Sequence, residues 1–90
     1  MIRKRIVFKG RVQGVGFRFT AIRYANNLGL TGWVRNMYDG TVLMEVQGEI
    51  FRINHLLENL KNDRFIRIDE MEQKNISIVE NEKNFDLKGY

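Results

Sequence analysis

Near the start of the chain, hydrophobic and polar positions alternate. From Arg3 to Val12, Ile6, Phe8, Gly10 and Val12 fall on one face, and Arg5, Val7, Lys9 and Arg11 on the other. A period of two with one half-polar face predicts a β-strand whose basic side is solvated. The period then lengthens. In FRFTAIRYANNLGL, residues 17–30, Ala21, Ala25 and Leu28, supported by Ile22, make an apolar stripe at helical spacing. Gly29 stands where a helix would end with positive φ. LTGWVRNMYDGTVLMEVQG, residues 30–48, splits at Asp39-Gly40, a hairpin signal between two strand-like runs. Val42, Met44 and Val46 share one face of the second run. The register stays open, because a two-residue turn and a bulged three-residue turn point the side chains oppositely.

The pattern turns helical again in EIFRINHLLENLKN, residues 49–62. Ile50, Ile53, Leu57 and Leu60 recur at helical spacing, with acid in the first turn, which makes this the cleanest amphipathic helix in the chain. FIRIDEMEQ alternates weakly as a fourth strand. Phe85 and Leu87 suggest a short last strand after a connection that the pattern does not assign. The order is βαββαβ, with room for an extra edge strand. Two interleaved βαβ units predict an α+β, ferredoxin-like sandwich, one antiparallel sheet with two helices on a single face. That fold hosts many activities, so function must come from particular residues.

Composition narrows the classes. The 90 residues predict a single domain over 1–90, too small for a deep internal cavity, so any site lies in a loop or a shallow cleft. A hydrophobic fraction of 43% with 29% charged residues fits a globular protein and not a disordered one. The absence of cysteine excludes a disulfide framework, a thiolate nucleophile and a cysteine zinc site. MIRKRIVFKG holds no apolar run long enough for a signal peptide or membrane helix, so the default expectation is cytoplasmic, with no membrane partner. The net charge of +4 favours anionic partners but is modest for a nucleic-acid binder.

Between the first strand and the first helix lies KGRVQGVGFR, residues 9–18, with three glycines, two arginines and no acid, hydroxyl, thiol or imidazole. A glycine loop entering a helix places free N–H groups and the positive end of the macrodipole side by side, which suits an anion. The loop is neither a dinucleotide fingerprint, since Phe19 follows Gly16 by three, nor a P-loop, since Val15 and Gly16 follow Gly14. What remains is a short phosphate cradle closed by Arg18, whose planar fork can hold two phosphate oxygens.

GRVQGVGFR at 10–18, GLTGWVRN at 29–36 and DGTV at 39–42 together resemble the acylphosphatase family, continuously from about Ile6 to Gly48. Beyond Gly48 the similarity is diffuse, and this chain lacks the prolines that family members carry after the second helix. The resemblance implies a ferredoxin-like fold and hydrolysis of acyl phosphates without metal or cofactor. By position, Arg18 matches the family's phosphate-binding arginine and Asn36 its water-orienting asparagine. The amides of Gly14, Val15, Gly16 and Phe17 match its phosphate loop.

Such chemistry is self-consistent. A carboxylate leaves an acyl phosphate without needing a proton, so no general acid is required. The needs are charge compensation on the phosphoryl oxygens and a water held in line. Asn36 is no strong base, so the proton is expected to pass to the substrate itself. His55, among Ile53, Leu56 and Leu57, reads as structural. Trp33 reads as a packing residue, and Asp69, Glu70 and Glu72 as a solvated edge without metal-ligand spacing. Starting at Met1 and ending just past the last strand, the chain reads as free-standing, a monomer acting on a small molecule. One rival is a single-strand RNA-binding module, which displays aromatics on its central strands; TVLMEVQ has none and the first strand only Phe8. The other is a non-catalytic phosphate-binding domain of the same fold, for which Asn36 would serve no purpose.

Overall fold

In the computed structural model, which describes Met1–Gly89, the order is β1 (Ile2–Arg11), α1 (Phe17–Asn27), β2 (Thr31–Asn36), β3 (Val42–Gly48), α2 (Ile50–Lys61), β4 (Arg67–Ile76) and β5 (Phe85–Leu87). The strands form one sheet in the order β4-β1-β3-β2-β5. β1 is antiparallel to both β3 and β4, and β2 to β3, as the interleaved units require. The short last strand joins the far edge parallel to β2, so the sheet is mixed. Because β1 and β2 both lie antiparallel to β3, they run the same way, and their C-terminal ends emerge at one end of the sheet.

The core follows the alternation. Ile6 and Phe8 of β1, Val34 of β2, and Val42, Met44 and Val46 of β3 are buried against Ala21 and Ala25 of α1 and Ile53, Leu56, Leu57 and Leu60 of α2. Gly29 has φ 69°, just beyond the end of α1. Two details of α2 differ from the periodic reading. Ile50 is 44% exposed and Leu56 occupies the core in its place, because the face that meets the sheet is centred a fraction of a turn away. Glu49 stands at the N-cap, one residue before the first turn, which contains no acid.

On the open face of the sheet Arg5 and Arg11 are exposed and Lys9 partly so, as expected of a solvated basic side, but Arg3 at the start of β1 is not. Arg3 is only 2% exposed. Its Nε donates to Glu45 at 3.0 Å and its Nη1 to Gln47 at 3.1 Å and Glu82 at 2.7 Å, while Nη2 reaches the second Glu82 oxygen at 3.3 Å. Burial disfavours its charge, but the hydrogen bonds and charges of Glu82 and Glu45 outweigh that and hold its pKa above the ordinary value. The connection from β4 to β5 passes over this group, fastened where Val79 and the Gln47 amide exchange two hydrogen bonds. Asn26 of α1 then pairs with the backbone of Phe85 on both sides, at 3.0 Å each, which fixes β5 at the edge.

Candidate active site

Two buried anchors set the ends of the glycine loop. Val12, just past β1, and Phe17, the first residue of α1, are both in the core. The Phe17 ring packs on Phe8 with centroids 4.9 Å apart. The four residues between them must reverse direction in a short span. Gly14 and Gly16 do so with φ 73° and 80°. A Cβ at either would meet nothing within 4 Å, so glycine is needed here for its backbone freedom and not for space. A left-handed Gly16 followed by helical Phe17 is the kind of backbone alternation from which anion nests are built.

The start of α1 is left electrically positive. Gly16 is its N-cap and offers no side-chain acceptor, and its first turn holds no acid. Thr20 is the first residue to donate back, to the Gly16 carbonyl at 3.0 Å, so the amides ahead of it have no acceptor within the helix. Arg18 lies on this same turn, half-buried, and has no ion pair or hydrogen bond among the described residues.

Asn36 arrives from the other side, as the last residue of β2. Its Oδ1 is buried and has no hydrogen-bond donor, the one such side-chain atom among the described residues. An acceptor left in that state costs about 1–3 kcal/mol, which a fold tolerates where something else makes use of it. The hairpin beyond Asn36 settles the open register. Met37 N–H donates to the Thr41 carbonyl at 2.9 Å and Gly40 N–H to the Met37 carbonyl at 3.2 Å, the wider, bulged turn. Asp39 Oδ1 accepts from both the hydroxyl and the amide of Thr41, and these two bonds, the hydroxyl's first, hold its pKa below the usual carboxylate value.

One side chain joins these two pieces. Gln13 Nε2 donates to the Met37 carbonyl at 2.7 Å and the Thr41 carbonyl at 2.9 Å, clipping the glycine loop to the hairpin that carries Asn36. Nothing in the sequence marks this role, because the acceptors are main-chain carbonyls some 24 and 28 residues away.

Two adjoining concavities share Arg18 and Asn36. The smaller, about 120 Å³, is lined by Val12, Gly14, Gly16, Phe17, Arg18, Phe19 and Asn36. The larger, about 290 Å³, adds Gln13, Met37 and Tyr38. Exposed aromatics flank them, Phe19 at 82% and Tyr38 at 93%. Five of the six residues assigned to the site from sequence therefore meet in one place. Val15 lines neither concavity and faces a third, beside Arg11, Gly14, Arg64 and Phe65. His55 is exposed on α2 and lines none of the three. Trp33 lies half-buried on the open face of the sheet, 4.4 Å from the Lys88 ammonium, away from the cleft. Glu70 and Glu72 pair with Lys9, and Asp69 with Arg67, along the edge strand. Among the described residues no group of three or more His, Cys, Asp or Glu side chains is placed to hold a metal ion, and no helix is long and apolar enough to cross a membrane.

The acylphosphatase family profile matches residues 4–87. An acylphosphatase of Clostridium acetobutylicum is 41% identical over 88 residues, covering 97% of each chain. One of Bordetella parapertussis is 52% identical over 56 residues, a match that spans 62% of this chain and 60% of that protein. Among solved structures, the crystal structure of acylphosphatase from Bacillus subtilis superposes with a TM-score of 0.90 at 31% identity, covering 99% of this chain and 100% of that one.

Proposed function

The chain belongs to the acylphosphatase family, and we propose that it hydrolyses acyl phosphates by cradling the phosphoryl group in the 14–18 loop and presenting a water from Asn36. The observation that carries this is the buried, donorless Oδ1 of Asn36 in a residue that lines both concavities also lined by Arg18. Simple anion binding has no use for an acceptor there. A hydrolase does, since a water donating to Oδ1 keeps its lone pair free for phosphorus.

The steps then follow. Arg18 holds two phosphoryl oxygens in its fork while the amides from Gly14 to Phe17 take up the remaining charge. The water oxygen bonds to phosphorus as the bond to the acyl oxygen breaks, and the carboxylate departs with that electron pair. The water's proton goes to a phosphoryl oxygen, because a neutral amide cannot hold it. The products are a carboxylate and inorganic phosphate. With this goes the expectation, drawn from the sequence alone, of a cytoplasmic monomer that uses no cofactor and binds no nucleic acid.

The test is phosphate release from acetyl phosphate in the presence of a chelator, with phenyl phosphate as the unactivated monoester. Rapid cleavage of the acyl phosphate alone is expected. No cleavage, with inorganic phosphate still bound, would instead make this a non-catalytic anion-binding domain of the same fold.

A further inference from the structure

We propose that the third concavity, between the glycine loop and the connection from α2 to β4, receives the acyl group and favours acyl groups that bear a second negative charge. This rests on the hydrolysis proposed for the loop and extends it to the class of substrate. The first argument is direction. Displacement at phosphorus puts the attacking and leaving oxygens roughly in line, so a water held at Asn36 sends the acyl group away from Asn36. Two of the three concavities contain Asn36. The third, about 350 Å³, does not, and it meets the cradle at Gly14.

Its charge is the second argument. Arg11 and Arg64 both line it, and neither has a carboxylate partner among the described residues, whereas neighbouring Lys9 and Arg67 are paired. Two uncompensated guanidinium groups in one concavity, with no acid lining it, favour an anion whose geometry fits a planar fork, a carboxylate or a phosphate. Phe65, 65% exposed, adds an apolar wall for the carbon chain between the two charged ends.

Construction is the third. Phe65 N–H donates to Asp63 Oδ1 at 2.9 Å, the Arg64 guanidinium lies 5.4 Å from the centre of the Phe65 ring, and Ile66 is buried behind them. A Cβ on Gly10 would collide with the carbonyl of Arg67; without one, the start of β4 closes onto β1 at the bulge beside the loop. The main chain that carries Arg64 and Phe65 is thus fixed next to the cradle, while both side chains stay exposed beside it.

Steady-state hydrolysis of acetyl, butyryl and succinyl phosphate separates the possibilities, since butyryl and succinyl differ in a terminal carboxylate at similar chain length. The wild type should prefer succinyl over butyryl phosphate by about fivefold in kcat/KM, mainly through KM, and added salt should shrink the preference. Arg64→Gln should erase it, with acetyl phosphate turnover kept within about twofold; Arg11→Gln should at least halve it. Equal use of succinyl and butyryl phosphate by the wild type, or a preference surviving both substitutions, with acetyl phosphate still cleaved, would overturn the assignment of this concavity alone. Failure to cleave any of the three would remove the hydrolytic function and the acyl site with it.

Discussion

Arg3 and Arg18 lie toward opposite ends of β1, the one near its start and the other seven residues beyond its end, and their surroundings could hardly differ more. The strand between Arg3 and Arg11 spans roughly 25 Å. At its start, Arg3 is buried and surrounded by Glu45, Gln47 and Glu82, with four hydrogen bonds on one guanidinium. Beyond its end, Arg18 is half-exposed with no partner among the described residues, next to a helix start without acid and an asparagine oxygen to which none of those residues donates. The first end spends its polar groups on itself. The second leaves them for something else. Residue type cannot tell these arginines apart, but the satisfaction of their hydrogen bonds can, and this is how a structural charge is distinguished from a functional one.

The sharpest way to break that comparison is to exchange the fork for a point charge. Arg18→Lys should lower kcat/KM for acetyl phosphate by about a thousandfold while leaving urea stability unchanged within about 0.5 kcal/mol. Arg3→Met should do the reverse. It strands Glu82, leaves Glu45 only its longer contact to Arg5, and should cost about 3 kcal/mol in urea unfolding, with kcat of the folded protein intact. A loss of activity in folded Arg3→Met, or of stability in Arg18→Lys, would show that the two ends are not independent.

Gln13→Ala probes the link between loop and hairpin. Removing two hydrogen bonds to main-chain carbonyls should cost about 1–2 kcal/mol in stability and about tenfold in kcat, with phosphate affinity less affected, because Asn36 loses its alignment while the loop amides remain. The smallest effect concerns Asp39. Its lowered pKa means that its contribution to the turn is present above the ordinary carboxylate pKa and is lost as pH falls through the depressed folded value. An NMR titration should find the Asp39 carboxyl ionised below the range of the other exposed carboxylates. Acetyl phosphate hydrolysis should stay flat through neutral pH, where Asp39 does not titrate.

Much of this was legible locally. The alternation around Ile6 and Phe8, the turn at Asp39-Gly40 and the glycines at 14 and 16 are signals a few residues long, and each meets its match in the structure. The candidate site residues stand in an ordered motif, and the structure brings Gly14, Gly16, Phe17, Arg18 and Asn36 around one concavity. What stayed hidden depends on distant partners. The burial of Arg3 requires residues 42, 44 and 79 positions away, and the strap that covers it has no periodicity. Leu56 displaces Ile50 from the core because the sheet, not the helix, decides which stripe is covered. The short β5 is anchored at the sheet edge by Asn26 on α1, a contact between elements that propensity cannot foresee.

The central claim is that Asn36 serves the attacking water and not the bound phosphate. It is tested most directly by measuring, for wild type and Asn36→Ala, both kcat on acetyl phosphate and the Kd of inorganic phosphate by calorimetry. A kcat lowered by about a hundredfold with Kd changed less than about threefold is the expected result. Equal losses in both, or an unchanged kcat, would contradict the account and leave the orphan oxygen of Asn36 without a catalytic purpose.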